Sequence, residues 1–285
     1  MTETAILHHD QVEYWNGRGG ENWVAQQAQT DLMLAPVSDI LLAHAGVAPG
    51  QSVLDIGCGC GTTTESLARL VGPSGTVIGL DVSKPMLEVA ARRLAARTNV
   101  MLICADAATH VFTPASVDAV ISRFGVMFFG DPRAAFANFG RALKPGGRIV
   151  FTCWQKVDEN PWMQIPLLAA YAHVPRLPKP GPEDPGPFAF ADTERVTRIL
   201  TGAGFSDIRF TPRTLPVDIA GGRGLEDAVE QAAHIGATSR AIEGQPETAR
   251  RAALNAVREA LRPYATPTGV LMKGTIWVVE ATRDG

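Results

Sequence analysis

The sequence predicts an α/β fold: a doubly wound, seven-stranded and mostly parallel sheet, with a helical cap before it and an insertion after the fifth strand. Three observations predict it. From Gln51 to Trp154 short apolar runs alternate with helical stretches, the signature of βαβ units. The runs are rich in Val, Ile and Leu, as strands covered on both faces should be. The first run ends in glycines at alternate positions, where a chain can turn sharply into a helix.

Residues 1–46 read as the N-terminal cap. Val12 to Gly46 is helical in pattern and carries Tyr14, Trp15 and Trp23 near Gly17, Gly19 and Gly20. Aromatics beside glycines suit a cap over a pocket, and packing onto the sheet accounts for them equally well. Residues 47–285 form the main domain. Its strands are Ser52 to Ile56, Thr76 to Leu80, Val100 to Cys104, Val117 to Ser122 and Arg148 to Cys153. Helices at about Thr63 to Val71, Pro85 to Ala96 and Pro132 to Leu143 lie between them, with Ser83 as N-cap of the second. The run Lys144-Pro145-Gly146-Gly147 is expected to stop the third helix. Residues 155–190 form an insertion with a short helix in Trp162 to Val174 and a stiff, proline-rich loop. Helix returns at Asp192 to Ala203. Asp207 to Ile219 and Val270 to Ala281 read as the last strands, separated by a helical insertion over 222–265 in which Leu254, Val257 and Leu261 face the core.

Composition narrows the function classes. The chain has 26 Lys and Arg against 29 Asp and Glu, a net charge of -3, and lacks runs of like charge, which disfavours nucleic acid or an anionic membrane as partner. The first eleven residues lack the basic start and apolar run of a secretory signal, and apolar stretches of membrane-spanning length are absent, so a cytoplasmic protein is expected. Cys58 and Cys60 form a C-x-C pair, while Cys104 and Cys153 stand apart. The spacing fits no usual zinc site or disulfide framework, and no metal is expected.

The chemistry-bearing motif is Val53-Leu54-Asp55-Ile56-Gly57-Cys58-Gly59-Cys60-Gly61, a strand ending in Asp and then glycines before a helix. Glycines let the backbone approach a ligand closely, and a helix start presents free N–H groups. Asp81 follows Gly61 by 20 residues, the spacing of a carboxylate that accepts from ribose hydroxyls. A dinucleotide fingerprint needs its third small residue one position later than Gly61. Asp55 would also repel a pyrophosphate, whereas it can favour a cationic amine or sulfonium, or orient the loop. The pair therefore suits an adenosine-bearing, phosphate-free ligand.

With these motifs in place, the sequence resembles the class I S-adenosylmethionine-dependent methyltransferases, especially the group containing the ubiquinone and menaquinone biosynthesis enzymes. The resemblance spans Ser52 to Trp154 through VLDIGCGCG, GLDVSKPML, CADAA, DAVISRFGVMFF and LKPGGRIVF. It implies a Rossmann-like fold, S-adenosylmethionine as cofactor and S-adenosylhomocysteine as product. By position it implies that Gly57 and Gly59 pass under the methionine part, that Asp81 binds the ribose, and that Val82 and Met86 border the adenine. Asp106 would accept from the adenine amino group, Ala107 would meet the ring through its N–H, and Ser122 would lie beside the methionine and the transferred methyl. Ser122-Arg123-Phe124-Gly125 stands where enzymes acting on nucleic-acid or protein nitrogens carry Asn or Asp before Pro-Pro, and a Pro-Cys nucleophile pair is absent. A small-molecule O, N or C acceptor is the resulting expectation.

Methyl transfer from a sulfonium needs alignment more than a nucleophilic side chain. If the acceptor needs a base, His173, Tyr14 and Arg123 are the candidates at the expected pocket rim. An NAD-dependent oxidoreductase and a non-catalytic S-adenosylmethionine-binding protein stay open as alternatives, as does homo-oligomerisation.

Overall fold

The computed structural model describes residues 3–181 and 183–284. In chain order it runs α1 (Glu3–Asn16), α2 (Arg18–Ala25), α3 (Gln27–Ala45), β1 (Ser52–Ile56), α4 (Thr62–Val71), β2 (Thr76–Asp81), α5 (Lys84–Arg93), β3 (Val100–Cys104) and β4 (Val117–Arg123). There follow α6 (Pro132–Gly140), β5 (Leu143–Trp154), α7 (Pro161–Ala170), α8 (Thr193–Gly202), β6 (Phe205–Asp218), α9 (Leu225–His234), α10 (Gly236–Ile242), α11 (Glu247–Leu261), β7 (Ala265–Thr266) and β8 (Gly269–Arg283).

The seven expected strands form one sheet in the order β3-β2-β1-β4-β5-β8-β6, and β7, only two residues long, pairs with β8 as an eighth. Pairing is parallel from β3 to β5, and β8 inserts antiparallel between β5 and β6. Chain direction across the sheet reverses between β1 and β4. Loops leaving the C-terminal ends of those two strands diverge there and open a crevice, the place where doubly wound sheets bind ligands.

Side-chain alternation along β5 separates the two helical layers. Arg148 reaches the carbonyl of Ala45 at the end of α3, so residues of its parity face that helix. Phe151, of opposite parity, meets Phe136 of α6 with ring centroids 5.6 Å apart. Phe136 also lies 5.0 Å from Phe139, 6.0 Å from Phe190 and 6.4 Å from Phe205, all fully buried, so one aromatic cluster joins α6, β5, β6 and the segment before α8. β6 is an edge strand, which is why it tolerates Pro212 and Pro216.

α3 packs on β4, β5 and β6, whereas α2 packs on α5. Residues 155–190 and 222–265 meet each other, since α7 packs against α10 and α11.

Two local expectations are corrected. Ser83 occupies the N-cap position of α5, but its hydroxyl donates to the carbonyl of Trp15 at 2.6 Å and makes no cap bond. A close approach of α2 explains the diversion: a Cβ on Gly20 would lie 2.7 Å from that hydroxyl. The run Lys144–Gly147 does not stop α6, which ends at Gly140. It lies inside β5, where the pairing with β4 shifts register, and Gly146 at φ +73° allows the bulge. Among the described residues no helix is long and apolar enough to cross a membrane, and no cluster of His, Cys, Asp and Glu is placed to hold a metal ion.

Candidate active site

The crevice at the C-terminal ends of β1 and β4 opens into a cavity of about 470 Å³, within the range of small-molecule sites. Its floor is the glycine loop. Gly57, Gly59 and Gly61 all adopt positive φ, +67°, +54° and +82°. At Gly57 glycine is required twice over, because a Cβ there would also lie 2.8 Å from the Cα of Gly125 in the loop after β4. Those two glycines let the β1 and β4 loops touch and set the cavity floor.

Where the loop's N–H groups go decides what it can bind. Gly57 and Cys58 donate to the carbonyl of Leu80 at 2.8 and 3.2 Å, and Gly61 donates to Cys58 at 3.0 Å. Gly59 donates to Asp81 Oδ2 at 2.8 Å. These four amides are thus occupied by the protein itself, and a pyrophosphate would find them taken.

Asp81 lines the cavity from the end of β2. Its Oδ1 accepts from the Ser83 N–H at 2.8 Å, matching the Gly59 bond on Oδ2, so both oxygens are fixed and keep lone pairs for a ligand. Burial pushes this carboxyl up, and the backbone bonds from Ser83 and Gly59 pull it back. Val82, Met86, Asp106 and Ala107 line the cavity beside it. The Asp106 Oδ1 accepts from the Ala108 N–H at 2.8 Å, which orients the carboxylate. All five therefore share one stretch of the cavity wall.

Asp55 and Gly59 stand behind the cavity lining. Asp55 is buried on β1, and its Oδ2 accepts from the Thr64 hydroxyl at 2.7 Å, tying the strand to the first turn of α4 across the loop. Of the two roles open to Asp55, the contacts are those of a loop-orienting group. Burial lifts its carboxyl to about 7, with Asp81 pushing the same way and the Thr64 bond and Arg123 opposing. In an unfolded chain this group titrates near ~4. Between those values the folded state holds a proton that the unfolded state has lost, so its contribution is complete below about pH 4 and is lost as pH rises to about 7. Asp55→Asn, which keeps an acceptor for Thr64, is expected to flatten the fall of thermal stability across that window. Equal slopes for the two proteins would refute the assignment.

Three other expectations are corrected. Ser122 does not border the cavity: it is fully buried, and its hydroxyl donates to the Ile56 carbonyl at 2.8 Å, stitching β4 to β1. His173 lies exposed beyond α7 and is not part of the cavity wall. Tyr14 does line the cavity, but burial raises its phenol above its ordinary value, which disfavours it as a base. Arg123 also lines the cavity, half-buried, with Nη1 donating to the Ser38 hydroxyl of α3 at 2.7 Å. Burial lowers its ordinary value, against the charges of Asp31 and Asp55.

Of the other wall residues, Trp15 and Trp23 carry the sequence signal of aromatics beside glycines, whereas Phe124 and Phe128 carry none. Phe124 takes φ +69°, a conformation bulky residues rarely adopt, and stacks on Trp154 at 4.4 Å and 12°. Trp154 meets Trp162 of α7 at 5.0 Å, and Trp15 meets both Trp23 and Phe128 at 6.0 and 5.2 Å. His234 closes one side, its Nδ1 bonded to the Glu230 carbonyl at 2.8 Å. Trp154 ends a parallel strand at the ligand-binding edge, which is a readable signal. The rest depend on chain segments brought together from far apart.

The site suits the adenosine-bearing ligand expected from sequence: two oriented carboxylates, a backbone floor with no room for side chains, and an aromatic hollow beyond. Residues 53–147 match the methyltransferase domain family. The demethylmenaquinone methyltransferase of Staphylococcus aureus strain JH9 is 41% identical over 110 residues, 39% of this chain and 46% of that protein. The chain matches less than half the length of the first curated relatives it resembles. In fold, the YcgJ protein of Bacillus subtilis aligns with TM-score 0.56 at 16% identity, covering 88% of this chain and 99% of that one. A Haemonchus contortus phosphoethanolamine N-methyltransferase 2 solved with S-adenosyl-L-methionine aligns with TM-score 0.53 at 21% identity, covering 88% and 53%.

Proposed function

We propose that this chain, which carries a class I methyltransferase domain, transfers the methyl group of S-adenosylmethionine to an oxygen, nitrogen or carbon of a small molecule. One observation carries the reading. The amides of Gly57, Cys58, Gly59 and Gly61 already donate within the protein, beside the carboxylates of Asp81 and Asp106, an arrangement that suits ribose, adenine and a cation and disfavours a dinucleotide. A Rossmann-like fold alone would not choose between them.

When bound, the cofactor supplies an electrophilic methyl on a sulfur that departs as a neutral thioether. The chain's part is to hold, align and exclude water. Asp81 accepts from the ribose hydroxyls, Asp106 from the adenine amino group, and Ala107 meets the ring through its N–H. Val82 and Met86 cover its faces. Trp15, Phe124, Trp154 and Trp162 keep the reacting centre dry and receive the acceptor. Residues 1–46 close one side of this hollow, and the helices of 155–190 and 222–265 form the acceptor side of the domain that spans 47–285. With a net charge of -3 and an apolar hollow, the acceptor is a small molecule rather than a nucleic acid.

Calorimetry on the purified chain is expected to show binding of S-adenosylmethionine and S-adenosylhomocysteine and none of NAD. Incubation with panels of hydroxylated, amine and acidic-carbon acceptors is expected to release S-adenosylhomocysteine. Tighter binding of NAD would sink the reading. Cofactor binding with no product across the panels would leave a binding protein in its place.

A further inference from the structure

Two arginines line the cavity, the exposed Arg240 of α10 and Arg123, which is the one beside the glycine loop. Arg123 ends β4, two residues beyond Ile121, the partner of Asp55 on β1. Its side chain lies half-buried under α3 and makes one hydrogen bond, to the neutral Ser38 hydroxyl. Among the described residues it has no carboxylate within 4.0 Å. The charged groups that face it are otherwise engaged. Asp31 pairs with Arg93 and accepts from Gln27 and Thr62. Asp55 accepts from Thr64 and titrates near neutrality, so it is only partly ionised. A guanidinium has five N–H donors in a planar fork, and at this open cavity wall the donors that Ser38 leaves over are placed to take an anionic ligand.

We propose that Arg123 binds the carboxylate at the amino-acid end of the cofactor, and so fixes the direction in which the sulfur presents its methyl group. This rests on the cofactor reading above. The position agrees with it, since Asp81 and Asp106 hold the adenosine end while Arg123 and the Gly57 floor lie across β1 from them, at the β1–β4 crevice. It also explains why Arg123 is no base: its role needs the charge to persist, which an arginine guarantees.

The test compares two neutral thioethers by calorimetry, S-adenosylhomocysteine and its decarboxylated analogue, which differ in the carboxylate alone. Wild type is expected to prefer S-adenosylhomocysteine by about tenfold to a hundredfold, the usual worth of hydrogen bonds to a charged group. Arg123→Met should lose that preference, its affinity for the analogue staying within about threefold of wild type. Arg123→Lys, which keeps the charge without the fork, should retain part of it and serves if the Met variant fails to fold. Equal losses for both ligands would make Arg123 a packing residue and overturn the proposal. So would undiminished affinity for S-adenosylhomocysteine in either variant. Failure of wild type to bind either compound would instead overturn the cofactor reading itself.

Discussion

Asp81→Asn is expected to weaken S-adenosylhomocysteine binding by about tenfold to a hundredfold or more, the loss of roughly 1.5–3 kcal/mol from hydrogen bonds to a charged acceptor. The carboxylate accepts from the Gly59 and Ser83 amides, each at 2.8 Å, and in the proposed function it also accepts from the two hydroxyls of a ribose. An amide offers one oxygen, so its NH₂ must confront either Gly59 or Ser83, and the loop shifts as well. Thermal unfolding without ligand separates the two effects. A variant as stable as wild type with lost affinity supports direct contact. Undiminished affinity would remove Asp81 from the ribose site.

Phe136→Ala should be the most destabilising single change outside the site, costing about 3–5 kcal/mol in denaturant unfolding. Phe136 is fully buried and meets Phe139 of its own helix together with Phe151, Phe190 and Phe205 from three other stretches of chain, so the hole left behind has little freedom to collapse. Cofactor affinity of the folded fraction should be unchanged, because Phe136 lies on the face of β5 away from α3 and is not part of the cavity wall. A loss below about 1 kcal/mol would show that the cluster repacks.

The strands from Ser52 to Cys153 were legible because each is a short apolar run rich in Val, Ile or Leu and bounded by polar or turn residues, a pattern read within a few residues. The same locality misplaced the end of α6. Lys144-Pro145-Gly146-Gly147 has the chemistry of a helix stop, yet the partner strand β4 draws it into a bulge. Ser83 had the chemistry of a cap, and the backbone of Trp15, 68 residues earlier, took its hydroxyl.

The sequence by itself determined the doubly wound sheet, the glycine loop and the carboxylate at position 81. Those depend on backbone conformations and spacings encoded locally. Only tertiary structure decided the rest. Adjacent residues of β4 point to opposite sides, so Ser122 is sealed against Ile56 while Arg123 turns to the cavity. The aromatic hollow assembles from α1, the β4 loop, the end of β5 and α7, which meet because burying them together removes apolar surface from water, a force with no memory of position along the chain.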